Sequence, residues 1–273
     1  MLQPRFLRCT HGHLHVMAWG RTDWQDPDLT RVTLILPPFA EELNKSRYML
    51  ARLGHALAEA GGCALLPDLY GTGDSEGRFE DADWTVWRQD ILDIVRHLHD
   101  SGIDHLDIVA LRMGAMLALT SLPESPLTIG RLILWQPLLS GKRLLSQFLR
   151  LRVMTAKMRG RDESVNKLLA RLSGGEPIEV GGYLLNPALA AQLLTIGLDK
   201  LSAPGGLRCE WCEVVPEAGR ELSKGAEKTI AQWRAAGCKV GGTSIEGPAF
   251  WETQEIATAP ALITHTLREL SPK

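Results

Sequence analysis

The stretch His105-Leu106-Asp107-Ile108-Val109-Ala110-Leu111-Arg112-Met113-Gly114-Ala115-Met116-Leu117-Ala118-Leu119 reads as a short β-rich run, a tight turn and the start of an apolar helix. That is the layout of a nucleophile elbow, G-x-S-x-G, in which small residues on both sides of the tip let strand and helix approach around a strained bend. Ala110 and Gly114 supply the small flanks. The tip itself is Arg112, whose guanidinium stays protonated at any ordinary pH and has no lone pair with which to attack a carbonyl. The turn implies a site, while its tip excludes the usual attack.

The segments on either side alternate strand and helix. Arg5 to Trp19 reads as a hairpin turning near His11-Gly12, and Val32 to Leu36 is a short β-branched run ended by Pro37-Pro38. Helical periodicity runs from Arg47 to Ala60 and stops at Gly61-Gly62; Cys63 to Leu66 is the next strand. Trp84, Trp87, Ile91, Ile94 and Leu98 define a helix over about 84–99 with Asp83 as its N-cap. Arg131 to Trp135 repeats the buried-strand signature, and a long helical stretch over 141–197 follows, broken at Gly174-Gly175 and Pro187. Leu207 to Val215 and Lys239 to Ile245 are the last strands, with a helix around Ser223 to Ala236 between them and a terminal helix from Pro260 to Leu270. The expected fold is α/β: a mostly parallel sheet of about eight strands with helices on both faces. Residues 1–140 and 201–273 form the core, and 141–200 a helical cap insertion.

Composition narrows the function classes. The 30 basic and 32 acidic residues give a formal charge of −2, so no overall electrostatic attraction favours nucleic acid. An odd number of scattered cysteines, five in all, argues against a disulfide framework, and Met1 to Arg5 lacks the apolar region of a signal peptide. No apolar stretch reaches the length of a membrane span. The expectation is a cytoplasmic protein without a transmembrane segment, cofactor or metal.

Three loops fall at the carboxyl ends of successive strands, where open α/β sheets place ligand sites. In the first, Leu36 to Arg47, the two prolines have no N–H to give, yet Phe39 or Ala40 can still donate to an oxyanion together with Met113 beyond the elbow. Pro-Pro as a plain turn stiffener is an equal reading. In the second, Pro67 to Gly77, glycines permit positive φ while Asp68 and Asp74 bond backbone amides, so it reads as structural before catalytic. The third is the elbow. A guanidinium at a helix N-terminus meets the positive end of the macrodipole and calls for an anion. Two answers fit: a structural brace to Glu41 or Glu42, or a ligand carboxylate or phosphate.

Leu36-Pro37-Pro38-Phe39-Ala40-Glu41-Glu42-Leu43-Asn44-Lys45-Ser46-Arg47, Pro67 to Ser75, Leu111 to Ala115, Trp135-Gln136-Pro137 and Gly247 to Glu252 together resemble the exosortase A system-associated hydrolase 2 family. The resemblance implies the α/β-hydrolase superfamily and the exosortase, PEP-CTERM sorting and exopolysaccharide machinery of Gram-negative bacteria, with exosortase-system proteins as partners. A hydrolase of this kind also needs a histidine after the last strand. Ala249 and Phe250 stand there instead, and His265, the only histidine beyond, lies in the terminal helix. The acid position, near Glu213 or Glu217, has nothing to orient.

Weaker constellations surround these. His11, His13 and His15 alternate and would share one face of a strand, as metal ligands or as a solvated hairpin surface. Cys209 and Cys212 form C-x-x-C but point to opposite faces of a strand. Ser46 and Ser75 carry hydroxyls without a recognisable base. The start of the 141–200 stretch is apolar and basic, suited to an acyl chain, an anionic polymer or a membrane surface, or simply an amphipathic cap helix. The resulting expectation is a ligand-binding or accessory pseudo-hydrolase for a small-molecule, acyl or anionic ligand. Alternatives are an ester or thioester hydrolase in which Glu41 or Asp68 activates water, and a partner-binding scaffold.

Overall fold

The computed structural model describes residues 2–21, 23, 24, 26, 28–201 and 206–271. Among the described residues, ten strands and eight α-helices follow one another as β1 (Leu2–Cys9), β2 (Gly12–Gly20), β3 (Arg31–Leu36), α1 (Glu41–Glu59), β4 (Cys63–Pro67), α2 (Trp84–Asp100), β5 (His105–Leu111) and α3 (Gly114–Ser121). Then come β6 (Thr128–Trp135), α4 (Gly141–Met158), α5 (Val165–Ser173), β7 (Ile178–Val180), β8 (Tyr183–Leu185), α6 (Pro187–Thr195), β9 (Arg208–Val215), α7 (Lys224–Ala235), β10 (Lys239–Glu246) and α8 (Pro260–Leu270).

Eight strands form one sheet in the order β1-β2-β4-β3-β5-β6-β9-β10. The hairpin β1–β2 is antiparallel and joins β4 antiparallel, and every pair from β4 to β10 is parallel. Period-2 alternation divides the strand residues between two cores. Leu34, Leu36, Ile108, Ala110, Leu132 and Leu134 face the helices α2, α3 and α7, whereas Ile35, Val109, Leu111, Ile133 and Trp135 face α1 and α8. Cys209 belongs to the first core and Cys212 to the second, so the C-x-x-C pair is split across the sheet as the strand geometry requires.

Local signals explain most boundaries. Asp83 accepts from the Val86 N–H and caps α2, whose Trp84, Trp87, Ile91, Ile94 and Leu98 are buried. Burying each such side chain is worth about 1.5–3 kcal/mol. Two expectations need correction. Helix α1 begins at Glu41, not Arg47, because Glu41 and Glu42 occupy its first turn, where negative charge suits the helix dipole. The 141–197 stretch is also not purely helical. Gly181 and Gly182, at φ 58° and 89°, close a two-residue turn between β7 and β8.

The segment from α4 to α6 connects β6 to β9, which are neighbours in the sheet. The chain then continues to β9 through residues 202–205, which lie outside the described residues. Asn44 of α1 donates to the Tyr183 hydroxyl at 2.8 Å, tying β8 to that helix. Among the described residues no helix is long and apolar enough to cross a membrane.

Candidate functional site

Among the described residues, only three other than glycine have positive φ, namely Ala40 (49°), Arg112 (54°) and Gln136 (44°). They follow β3, β5 and β6, three adjacent strands, at the carboxyl edge of the sheet. Strain of this kind persists only where surrounding contacts over-determine it, and here those contacts are visible. The Arg112 N–H donates to the Trp135 carbonyl at 2.9 Å, and the Gln136 N–H donates to the Cys212 carbonyl at 2.7 Å. The Gln136 Oε1 accepts from the Val214 N–H at 2.7 Å. Gly114 admits the close approach, since a Cβ there would lie 2.6 Å from the Leu36 carbonyl oxygen.

Arg112 is therefore at the tip of the bend, and it is buried, with 4% of its surface exposed. Its Nη2 donates to Glu42 Oε1 at 2.8 Å, and its Nε lies 3.2 and 3.3 Å from the two Glu42 oxygens. The same Nη2 donates to Gln147 Oε1 of α4 at 2.9 Å, and Glu252 Oε1 lies 4.0 Å away. The Trp251 ring covers the guanidinium at 5.3 Å from its centroid. Burial pushes the Glu42 carboxyl up, against the pull of the Arg112 charge beside it. Of the two candidate acids, Glu42 meets the arginine because α1 starts early. Glu41 instead accepts a long 3.4 Å bond from Asn44 Nδ2.

A cavity of about 520 Å³ opens beside this brace. Glu41, Glu42, Lys45 and Glu252 supply polar groups, and Leu144, Phe148, Leu151 and Met154 of α4 make an apolar wall. Phe39 turns its ring into this wall, 4.9 Å from Phe148 and nearly perpendicular to it. Among the described residues the backbone N–H groups of Phe39 and Met113 have no hydrogen-bonded acceptor.

The remaining sequence candidates lie elsewhere. Asp68 is buried and fully engaged: Arg47 Nη2 donates to it at 2.9 Å, the Asp74 N–H at 3.1 Å, and His15 Nδ1 lies 3.0 Å away. Ser75 donates to the Asp68 carbonyl at 2.6 Å, and Ser46 is buried in α1. The three histidines do not form a common solvated face. His15 is buried against Asp68, His13 pairs with Glu76 at 3.0 Å, and His11 rests in the turn against the Tyr70 ring. Glu213 accepts from the Ser223 N–H and hydroxyl at 2.6 and 2.7 Å, so it holds the N-cap of α7. His265 pairs with Glu210 at 3.2 Å; burial raises the Glu210 carboxyl, but bonds from His265 and Thr243 hold it below its ordinary value. Glu210 pairs with Ile133, two residues before the strand end, so this couple lies below the elbow.

Among the described residues, two groups bring potential metal-ligand atoms within 4.8 Å of one another: His15, Asp68 and Asp74, and Glu210, Cys212 and His265. Each has a competing cation, Arg47 on Asp68 and Arg268 donating to His265 Nδ1 at 2.8 Å. Gln147 and Trp251 escaped the sequence reading as site residues. Trp251 carried a signal, standing in the Gly247 to Glu252 loop; Gln147 carried none, because only packing brings α4 over the elbow.

No protein-family model and no curated protein matches the chain. Solved structures do. Est1E from Butyrivibrio proteoclasticus, with ferulic acid bound, aligns with a TM-score of 0.64 at 15% identity over 98% of this chain and 100% of that one. An esterase from Exiguobacterium antarcticum aligns with a TM-score of 0.54 at 15% identity over 98% and 96% of the two chains. The α/β-hydrolase domain-containing protein 10 from mouse gives 0.53 at 16% identity over 98% and 96%. At these identities the likeness shows the fold: the chain has the α/β-hydrolase fold.

Proposed function

We propose that the chain is a ligand-binding or accessory protein built on the α/β-hydrolase fold, one that does not carry out serine hydrolysis. The observation that supports this reading is the closure of the elbow: Arg112 holds the nucleophile position and is occupied by Glu42, Gln147 and Trp251. A guanidinium so neutralised favours the brace over an anion receptor, since a ligand carboxylate would have to displace Glu42. The bound molecule is an amphiphile. Its apolar part lies along Leu144, Phe148, Leu151 and Met154, and its polar end meets Lys45, Glu41 and Glu252. Residues 141–200 act as the cap of this pocket over a core of 1–140 and 201–273. The exosortase and exopolysaccharide setting, exosortase-system partners and a cytoplasmic location follow from the sequence resemblance and composition and belong to the same proposal.

The uncommitted N–H groups of Phe39 and Met113 favour one second reading. They would serve as oxyanion donors in an ester or thioester hydrolase whose water is activated by Glu41, the cavity acid without a cationic partner. Asp68 suits that role poorly, being engaged by Arg47, His15 and Asp74.

A fluorophosphonate probe should label no serine, and p-nitrophenyl acyl esters and acyl-CoA thioesters should not be turned over. Decanoate should bind by calorimetry and lose affinity in Phe148→Glu. Labelling at one serine, or ester turnover abolished by Glu41→Gln, would replace this reading with catalysis.

A further inference from the structure

Helix α4 does more than wall the cavity. Its Gln147, Leu151, Met154 and Met158 share one face at helical spacing, and Gln147 lies at the buried end of that stripe on Arg112. Towards the C-terminus the same stripe emerges into solvent. Leu151 is 41% exposed, Met154 66% and Met158 81%, an apolar ridge rising about 16 Å from Gln147 to Met158. Leu151 and Met154 also line the cavity, so the ridge is the outer lip of its mouth.

The charge that the helix and its C-terminal turn contribute has one sign, while the carboxylates nearby, Glu41, Glu42 and Glu252 at the cavity and Glu163 and Glu179 beside Arg152, come from other elements. Between Lys142 and Arg161 the chain carries seven Lys or Arg residues and no Asp or Glu. Arg152 is paired with Glu163, and Arg161 adds a longer-range attraction to the same carboxylate, but Arg150, Lys157, Arg159 and Arg161 are exposed and none has a carboxylate within ion-pair distance among the described residues. An exposed apolar ridge flanked by unpaired cations satisfies the two requirements of interfacial binding, apolar insertion and attraction to anionic headgroups. Along the ridge itself the exposed cations Arg150, Lys157, Arg159 and Arg161 would meet their own like in a two-fold pairing through this helix, which favours lipid over a second copy.

We propose that the Leu151–Met154–Met158 face of α4 docks on an anionic lipid surface and thereby presents the mouth of the cavity to the bilayer. The ridge enters the headgroup boundary while Arg150, Lys157, Arg159 and Arg161 contact lipid phosphates. This goes beyond the ligand reading and does not require it, since docking is measured without any ligand in the cavity.

Sedimentation with vesicles tests it, using phosphatidylcholine alone and an equimolar phosphatidylcholine–phosphatidylglycerol mixture. The protein should pellet with the mixed vesicles, far less with phosphatidylcholine, and be released by salt. Each cation near an anionic surface contributes a factor of about five, so Arg159→Gln with Arg161→Gln should weaken binding by roughly 25-fold. Met158→Glu should weaken it at least about tenfold, with unchanged melting temperature because Met158 is exposed. Absence of binding to the mixed vesicles overturns the proposal, as does wild-type binding by both variants. A dimer that Met158→Glu dissociates, without vesicle binding, would assign the face to a second copy instead. Capture of an acidic protein without vesicle binding would assign it to a protein partner.

Discussion

Replacing Arg112 by Met leaves the largely covered Glu42 carboxylate without its counter-charge. Three N–H···O contacts of 2.8, 3.2 and 3.3 Å disappear, together with the bond to Gln147 and the guanidinium under Trp251. Breaking one side of a buried pair costs about 3–5 kcal/mol. The Glu42 side chain keeps 19% of its surface exposed, so water relieves part of the penalty and the lower end, about 3 kcal/mol, is expected. For 273 residues at about 2 cal/mol/K each, the unfolding entropy is roughly 0.6 kcal/mol/K, and Arg112→Met should lower the melting temperature by about 5 °C. Backbone strain at φ 54° is similar for Arg and Met and cancels. Glu42→Gln with Arg112→Met removes both charges and should return to within about 1 kcal/mol of wild type. The single mutant has a further signature. Without Arg112 the Glu42 carboxyl rises further, so the folded state holds a proton that the unfolded state has released. Stability should then be regained as pH falls through the folded value towards the ordinary glutamate range, and stay level below it. Calorimetry of the four proteins at pH 7 and pH 5 measures all of this. A wild-type melting temperature for Arg112→Met, or a double mutant no better than the single, refutes the brace.

Two other expectations concern the framework. Asp90 is buried in α2; its Oδ2 accepts from the Tyr70 N–H, its Oδ1 has no partner, and burial pushes its carboxyl up to about 7. A raised acid favours the folded state below its folded value, so this group should withdraw stability as pH rises from about 4 to about 7, by at most about 4 kcal/mol. Asp90→Asn should flatten that slope and melt higher at pH 8; an unchanged pH profile would contradict the assignment. Gly114→Ala drives a methyl to 2.6 Å from the Leu36 carbonyl oxygen and should cost about 1–3 kcal/mol in urea unfolding, whereas an unaffected midpoint would mean the elbow relaxes freely.

Strand and helix positions were legible because each leaves a periodic trace that neighbours hardly alter. Examples are Val32 to Leu36 as a buried run and the Trp84–Leu98 stripe with its Asp83 cap. The hairpin of Ile178–Leu185 is marked locally only by Gly181-Gly182, and the helical patterning on either side masks it. The start of α1 leaves no local signal because no Ser, Thr, Asp or Asn caps it; Ala40 stands there at φ 49°. That start determines which of two adjacent acids reaches the elbow.

By itself the sequence determined that an arginine stands at the tip of a strand-to-helix bend, flanked by residues small enough to permit it, because those are properties of local covalent chemistry. The tertiary structure decided what answers that arginine. Glu42 comes from the helix after β3, Gln147 from the segment between β6 and β9, and Trp251 from the loop after β10. No local pattern links positions so far apart along the chain. They meet because parallel strands deliver their carboxyl-end loops to one edge of the sheet, where a buried charge must find partners.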